Sequence, residues 1–183
     1  MIVYAAKHLL PVAAPPIQSG AVAVHEGRIA AVGRRKDVVK SHGGAEVRDL
    51  GDAVIVPGLI NAHDHLEFNL FPLLGSRRYR NASEWARDIY HPDRSPVREH
   101  LNVPKPVRLW WGALKNLLSG VPTVCHHNPY DGSVFNADFP VRVVRRFGWA
   151  HSLAFEPRIR PRHRRMPFVI HCAEGTDASA RRE

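Results

Sequence analysis

The run from Val54 to Glu67 limits what this chain can fold into more than any other stretch. It reads as an apolar strand, a break at Pro57-Gly58, and a second short apolar strand that ends in His63-Asp64-His65. Successive side chains on a strand point to opposite faces, so His63 and His65 share one face and Asp64 takes the other. Polar groups at the end of a buried strand are costly without partners. A cation bound by two ring nitrogens is the partner that suits both imidazoles at once.

Two further blocks stand in order around this one: Gly20 to Gly33 before it, and Phe168 to Asp177 near the end. On the three blocks together the chain resembles the amidohydrolase superfamily, metal-dependent hydrolases of C–N bonds. Gly20 to Gly33 is similar to the hairpin that precedes the family's barrel, and Val56 to Glu67 to its first barrel strand. Phe168 to Asp177 is similar to its fifth strand. The resemblance implies an α/β fold: a partial (β/α)8 TIM-like barrel over residues 58–183, preceded by a small β-sandwich element over residues 1–57. It implies hydrolysis of C–N bonds other than peptide bonds by metal-activated water attacking an sp2 carbon, as in the deaminase and chlorohydrolase-like branch. In that branch His63, His65 and His171 match metal ligands, and Glu174 matches the acid that shuttles protons. Binuclear members commonly bridge two ions with a carboxylated lysine from a middle strand. No lysine follows Lys115 here, which favours one divalent ion, zinc with iron as the alternative.

The remaining segments are read from pattern. Ile2 to Ala6, Ala21 to His25, Ile29 to Val32, Ala45 to Leu50 and Ala53 to Val56 are strand-like, with a tight connection at Glu26-Gly27-Arg28. Asp37 to Gly44 reads as one or two helical turns. His8, His25 and His42 are isolated and read as surface or structural. Leu66 to Pro106 is irregular, an excursion of the kind that shapes substrate sites above a barrel. Within it Ser83 to Tyr90 reads as a short helix with Ser83 as N-cap. Pro106 to Ser119 is a helix on the spacing of Val107, Trp110, Trp111, Leu114, Leu117 and Leu118, with Trp110, Trp111 and Leu114 expected in the core. Val121 to Pro129 is the next strand, and alternation turns either His126 or His127 inward. Glu67, His126 and His127 are the candidate substrate contacts, and His151 is a further candidate. Val141 to Arg146 and Trp149 to Phe155 read as strands, and Glu156 to Met166 as a basic connector.

Length bears on completeness. A (β/α)8 barrel takes about 250 residues, and this chain has 183, of which 44% are hydrophobic. The twelve residues after His171 contain no histidine, so the family's sixth-strand histidine and last-strand aspartate have no match. The expectation is a truncated enzyme with little or no activity alone. A homo-oligomer or a complementing C-terminal polypeptide would complete it. The other two classes are a noncatalytic remnant that still binds zinc and a basic nucleic-acid-binding module. The net charge of +9 rests on arginine, including Arg142, Arg145, Arg146, Arg158, Arg160, Arg162, Arg164 and Arg165. Prolines interrupt that run and no aromatic residues interleave it for base stacking, which argues against a nucleic-acid partner. The expected partner is a small heterocyclic or amide substrate. Cys125 and Cys172 form no disulfide framework, and no stretch approaches 18 consecutive apolar residues. Both observations lead to a cytoplasmic protein without a membrane span.

Overall fold

A computed structural model describes residues 1–75, 77–153, 159 and 165–183. The basic connector, with Arg158, Arg160, Arg162 and Arg164, falls mostly outside the described residues, as does the end of the strand expected to reach Phe155. The chain divides into two compact units, Met1–Pro57 and Gly58–Glu183.

In the first unit β1 (Ile2–Leu9), β2 (Ile17–His25), β3 (Arg28–Arg34), β4 (Glu46–Asp49) and β5 (Val54–Ile55) form one sheet. Its order is β3-β2-β1-β4, with β5 also on β1. The β2–β3 hairpin turns on Glu26 and Gly27, both at positive φ (49° and 71°). That conformation matches the right-handed strand twist of a two-residue hairpin. Helix α1 (Arg35–Ser41) lays Val38 against Val3, Ala5, Ala21 and Ala23. Small side chains on the strands let this helix of about two turns sit close to the sheet.

Among the described residues, the strands of the second unit lie in two sheets. Strands β6 (Ile60–Asp64), β7 (Thr123–His126) and β8 (Arg142–Val143) run parallel in the order β6-β7-β8. Strands β9 (Gly148–Ser152) and β10 (Phe168–His171) form a second parallel pair. Parallel strands need long crossovers. Between β6 and β7 the chain passes through a 3-10 turn (Leu66–Phe68), α2 (Ala82–Ile89), α3 (Val97–Asn102) and α4 (Lys105–Leu118). Helix α5 (Ala178–Arg182) follows β10. Leu66, Leu109, Ala113, Val124, Phe135 and Val143 belong to the core beneath the sheet.

Two local expectations are corrected. The N-cap of α2 is Asn81, whose side chain accepts from the Glu84 amide at 2.7 Å, so the helix begins before Ser83. Helix α4 also turns a different face inward. Trp110, Trp111 and Leu114 are 38%, 47% and 39% exposed, whereas Leu109, Gly112, Ala113 and Asn116 are buried. The reason is proximity: a Cβ at Gly112 would collide with the backbone carbonyl of Leu66. Gly112 lets the helix meet that turn closely, with Leu109 and Ala113 packed beside Leu66, and this leaves Trp110, Trp111 and Leu114 on the outer side. Among the described residues, no helix is long and apolar enough to cross a membrane.

Candidate metal centre

Four histidines converge at the C-terminal ends of the parallel strands. His63 lies in β6, His65 follows it, His127 follows β7, and His171 ends β10. One ring nitrogen from each lies within 4.8 Å of all the others. The Nε2 atoms of His63, His65 and His171 form a triangle, with separations of 3.3 Å (63 to 65), 3.4 Å (65 to 171) and 2.9 Å (63 to 171). The expected pairing of His63 and His65 on one face therefore holds, and His171 joins them from over 100 residues away.

Asp64, on the opposite face, anchors the strand. Its carboxylate accepts from Asn69 (2.7 Å), Asn116 (2.7 Å) and Asn61 (3.0 Å). Asn61 also donates to Asn116, which donates to the Gly112 carbonyl within α4. A strand pinned on its back in this way carries its front side chains in fixed positions. The Asp64 carbonyl accepts from the His127 amide at 2.8 Å, which ties the start of the loop after β7 to the same strand.

Second-layer contacts fix which ring nitrogen is bare in His65 and in His127. Asn128 donates Nδ2 to Glu67 at 2.6 Å, so its Oδ1 faces Nδ1 of His65 at 3.2 Å. His65 must donate there, which leaves its Nε2 unprotonated toward the other rings. His127 donates Nε2 to the Ala150 carbonyl at 2.8 Å, leaving Nδ1 bare at 3.2 Å from His63 Nε2. Burial favours the neutral form of three of these rings: it pushes His65 down to about 4 and lowers His63 and His127 below the ordinary imidazole value. Neighbouring histidines push each of these the same way. Bare nitrogens this close repel one another unless a cation lies between them, and neutral imidazoles are the donors that zinc or iron accepts. The residues present fit a divalent ion.

The other candidates are distributed around this cluster. His126 is buried against Phe135, receives the Leu66 amide on Nδ1 at 3.3 Å, and lies 3.5 Å from Glu67 through Nε2. Glu67, His126 and His127 are buried and are not among the residues that line the neighbouring cleft. That cleft, of about 550 Å³, is walled by His65, Phe68, Tyr79, Trp85, His151 and Glu174 with others. The His151 ring centroid is 5.3 Å from that of His171 and 6.4 Å from those of His65 and His127. Glu174 reaches the rim because its loop docks on the start of α2. Its carbonyl accepts from Ala82, Gly175 bridges Asn81, and Thr176 donates to the Arg80 carbonyl. A Cβ at Gly175 would strike Arg80 and Asn81, so only glycine permits that approach. Cys172 is exposed.

No protein-family model matches the chain. Curated proteins do. It is 54% identical over 54 residues to 5-methylthioadenosine/S-adenosylhomocysteine deaminase of Nitratidesulfovibrio vulgaris strain DP4, covering 30% of this chain and 12% of that protein. A protein of the same name from Syntrophobacter fumaroxidans is 30% identical over 122 residues, 64% of this chain and 26% of the relative. Imidazolonepropionase of Solibacter usitatus is 49% identical over 53 residues, 28% and 13% of the two chains. Among solved structures, a zinc-bound adenosine deaminase from Xanthomonas campestris superposes with a TM-score of 0.57 at 17% identity, covering 94% of this chain and 49% of that one. Helicobacter pylori aminofutalosine deaminase gives 0.55 at 17% identity, with 93% and 43% covered. The resemblance to the amidohydrolase superfamily is borne out. This amidohydrolase-like chain spans 12% to 26% of the length of these curated relatives, and its mixed α/β fold is that of the deaminase structures.

Proposed function

We propose that the chain carries the N-terminal half of a metal-dependent, deaminase-type hydrolase site acting on C–N bonds other than peptide bonds. In this reading residues 58–183 are part of a (β/α)8 barrel and residues 1–57 part of a β-sandwich. The observation that supports it is the meeting of His63, His65 and His171 at strand ends with their Nε2 atoms turned toward one another. These three residues would hold one divalent ion, zinc or alternatively iron. The chemistry supplied by such an ion is acidification of water, whose pKa falls from 15.7 to about 7.

The chain's own residues do the rest. Glu174, on the cleft rim, takes a proton from the attacking water and returns it to the ring nitrogen or departing amine. Glu67 holds Asn128, and Asn128 holds the His65 ring in the correct tautomer. Phe68, Tyr79 and Trp85 give the cleft flat apolar walls for a heterocyclic substrate such as a purine. A cytoplasmic setting is consistent with the two free cysteines.

Ammonia release from purine nucleosides by the zinc-loaded chain tests this reading. Release is expected to be slow, dependent on zinc, and reduced by about 10²–10⁴-fold in Glu174→Gln, the usual contribution of a general acid–base. Release that survives both chelation and that substitution would overturn it.

A further inference from the structure

The resemblance accounts for three histidines, and the structure brings four together. His127 is the extra one. Its ring is fully buried and does not line the cleft, so it is badly situated to touch substrate. It is also oriented from behind. The Ala150 carbonyl accepts a hydrogen bond from Nε2–H, and the lone pair on Nδ1 is thereby aimed at the cluster, 3.2 Å from His63 Nε2.

Four of the six donor separations suit one coordination sphere, and the other two, from His127 to His65 and His171, lie within 4.8 Å. Zinc–imidazole bonds are about 2.0–2.1 Å, and two ligands of a tetrahedral ion are then about 3.3–3.4 Å apart. The three Nε2 separations are 3.3, 3.4 and 2.9 Å, and His127 Nδ1 stands 3.2 Å from His63 Nε2. Two of the nearby acids are engaged elsewhere, and Glu174 stands on the cleft rim. Asp64 is turned to the back of its strand and bonded by three asparagines, and Glu67 is bonded to Asn128.

We propose that His127, through Nδ1, is the fourth protein ligand, so that this chain alone encloses one divalent ion with four imidazoles. Zinc sites with four protein ligands are closed, whereas hydrolytic sites keep one position for water. In this chain that position is filled by His127, and water gains access only when a ring withdraws. The site at rest is therefore a structural zinc centre built on a catalytic scaffold.

The inference rests on the metal-binding reading above, and one experiment separates the two. Zinc is titrated into the whole chain while the ring nitrogens of the histidines are followed by long-range proton–nitrogen NMR. One equivalent is expected to shift Nδ1 of His127 while its Nε2 stays protonated, together with Nε2 of His63, His65 and His171. Cobalt as a spectroscopic probe should show a four-nitrogen tetrahedral site with no ionising water. His127→Gln should weaken zinc binding at least tenfold and introduce such a water. If His63, His65 and His171 shift but Nδ1 of His127 does not, the fourth ligand is refuted and the three-histidine reading survives. If no ring responds to saturating zinc, both fail. The decisive readout comes from the unaltered chain, so it stands even where His127→Gln does not fold.

Discussion

The two units are held together by different means. Residues 1–57 are fastened by strand pairing and by small apolar side chains, Val3, Ala5, Ala21 and Ala23 under Val38. Residues 58–183 have an apolar core of their own, including Leu66, Leu109 and Phe135, and add to it a set of polar contacts. Asp64 is gripped by Asn61, Asn69 and Asn116, and Glu67 and Asn128 hold His65. A unit built only for stability gains little from turning bare imidazole nitrogens toward one another, because they repel. The contrast is the one expected if the second unit is shaped around a cation, as proposed, and the first around apolar packing.

The strongest way to break this contrast is to remove the front of β6. His63→Ala combined with His65→Ala should lower zinc affinity by more than the roughly 10–100-fold typical of second-layer losses. Competition with a chromophoric chelator measures it, and equal affinity in the variant would erase the distinction between the units. Next comes zinc itself. At a free concentration 100 times its Kd it should stabilise by about 2.7 kcal/mol. Hydrogen exchange should slow at β6, β7 and β10 and stay unchanged at β1, β2 and β3. Uniform slowing would mean that the ion is not local to the second unit.

Smaller effects sharpen the comparison. Asn128→Ala frees the His65 ring and should cost about 10–100-fold in zinc affinity. Gly112→Ala drives α4 away from Leu66 and should destabilise the second unit by about 1–3 kcal/mol in chemical denaturation. In the metal-free chain, acid should loosen the second unit. Burial holds His65 near 4 when folded against about 6.5 when unfolded, so the unfolded chain binds more protons between these values. That contribution to stability is intact above pH 6.5 and declines as the pH falls toward 4, in the same direction as those of His63 and His127. Denaturant midpoints that do not fall over that range would contradict the neutral-ring assignment. Lys7→Ala, which removes an exposed 2.9 Å pair with Asp52 in the first unit, should change stability by at most about 1 kcal/mol and leave zinc binding untouched.

How far the sequence could be read follows the same division. The strands of the first unit and the Glu26-Gly27 turn were legible because alternating apolar residues and a two-residue connection are local signals. His63 and His65 were legible from strand alternation, and His171 only through the resemblance. Alternation also said that one of His126 and His127 turns inward, but not which. That depends on Asp64 pairing with His126 across β6 and β7, which puts His127 beside His63. The inner face of α4 was misread because apolar periodicity names the bulky residues. The actual contact is set by how closely Gly112 approaches Leu66, a distance no local pattern encodes. The role of Asn128 was missed as well. An asparagine one residue beyond paired histidines at a strand end is the signal that marks it.

The central claim is that His63 and His65 help to enclose a metal ion, and equilibrium dialysis against zinc tests it most directly. The account predicts one tightly bound zinc per chain, lost when both residues become alanine while circular dichroism still shows folded strands. An intact, folded chain that binds no zinc, or a variant that binds it equally well, would contradict it.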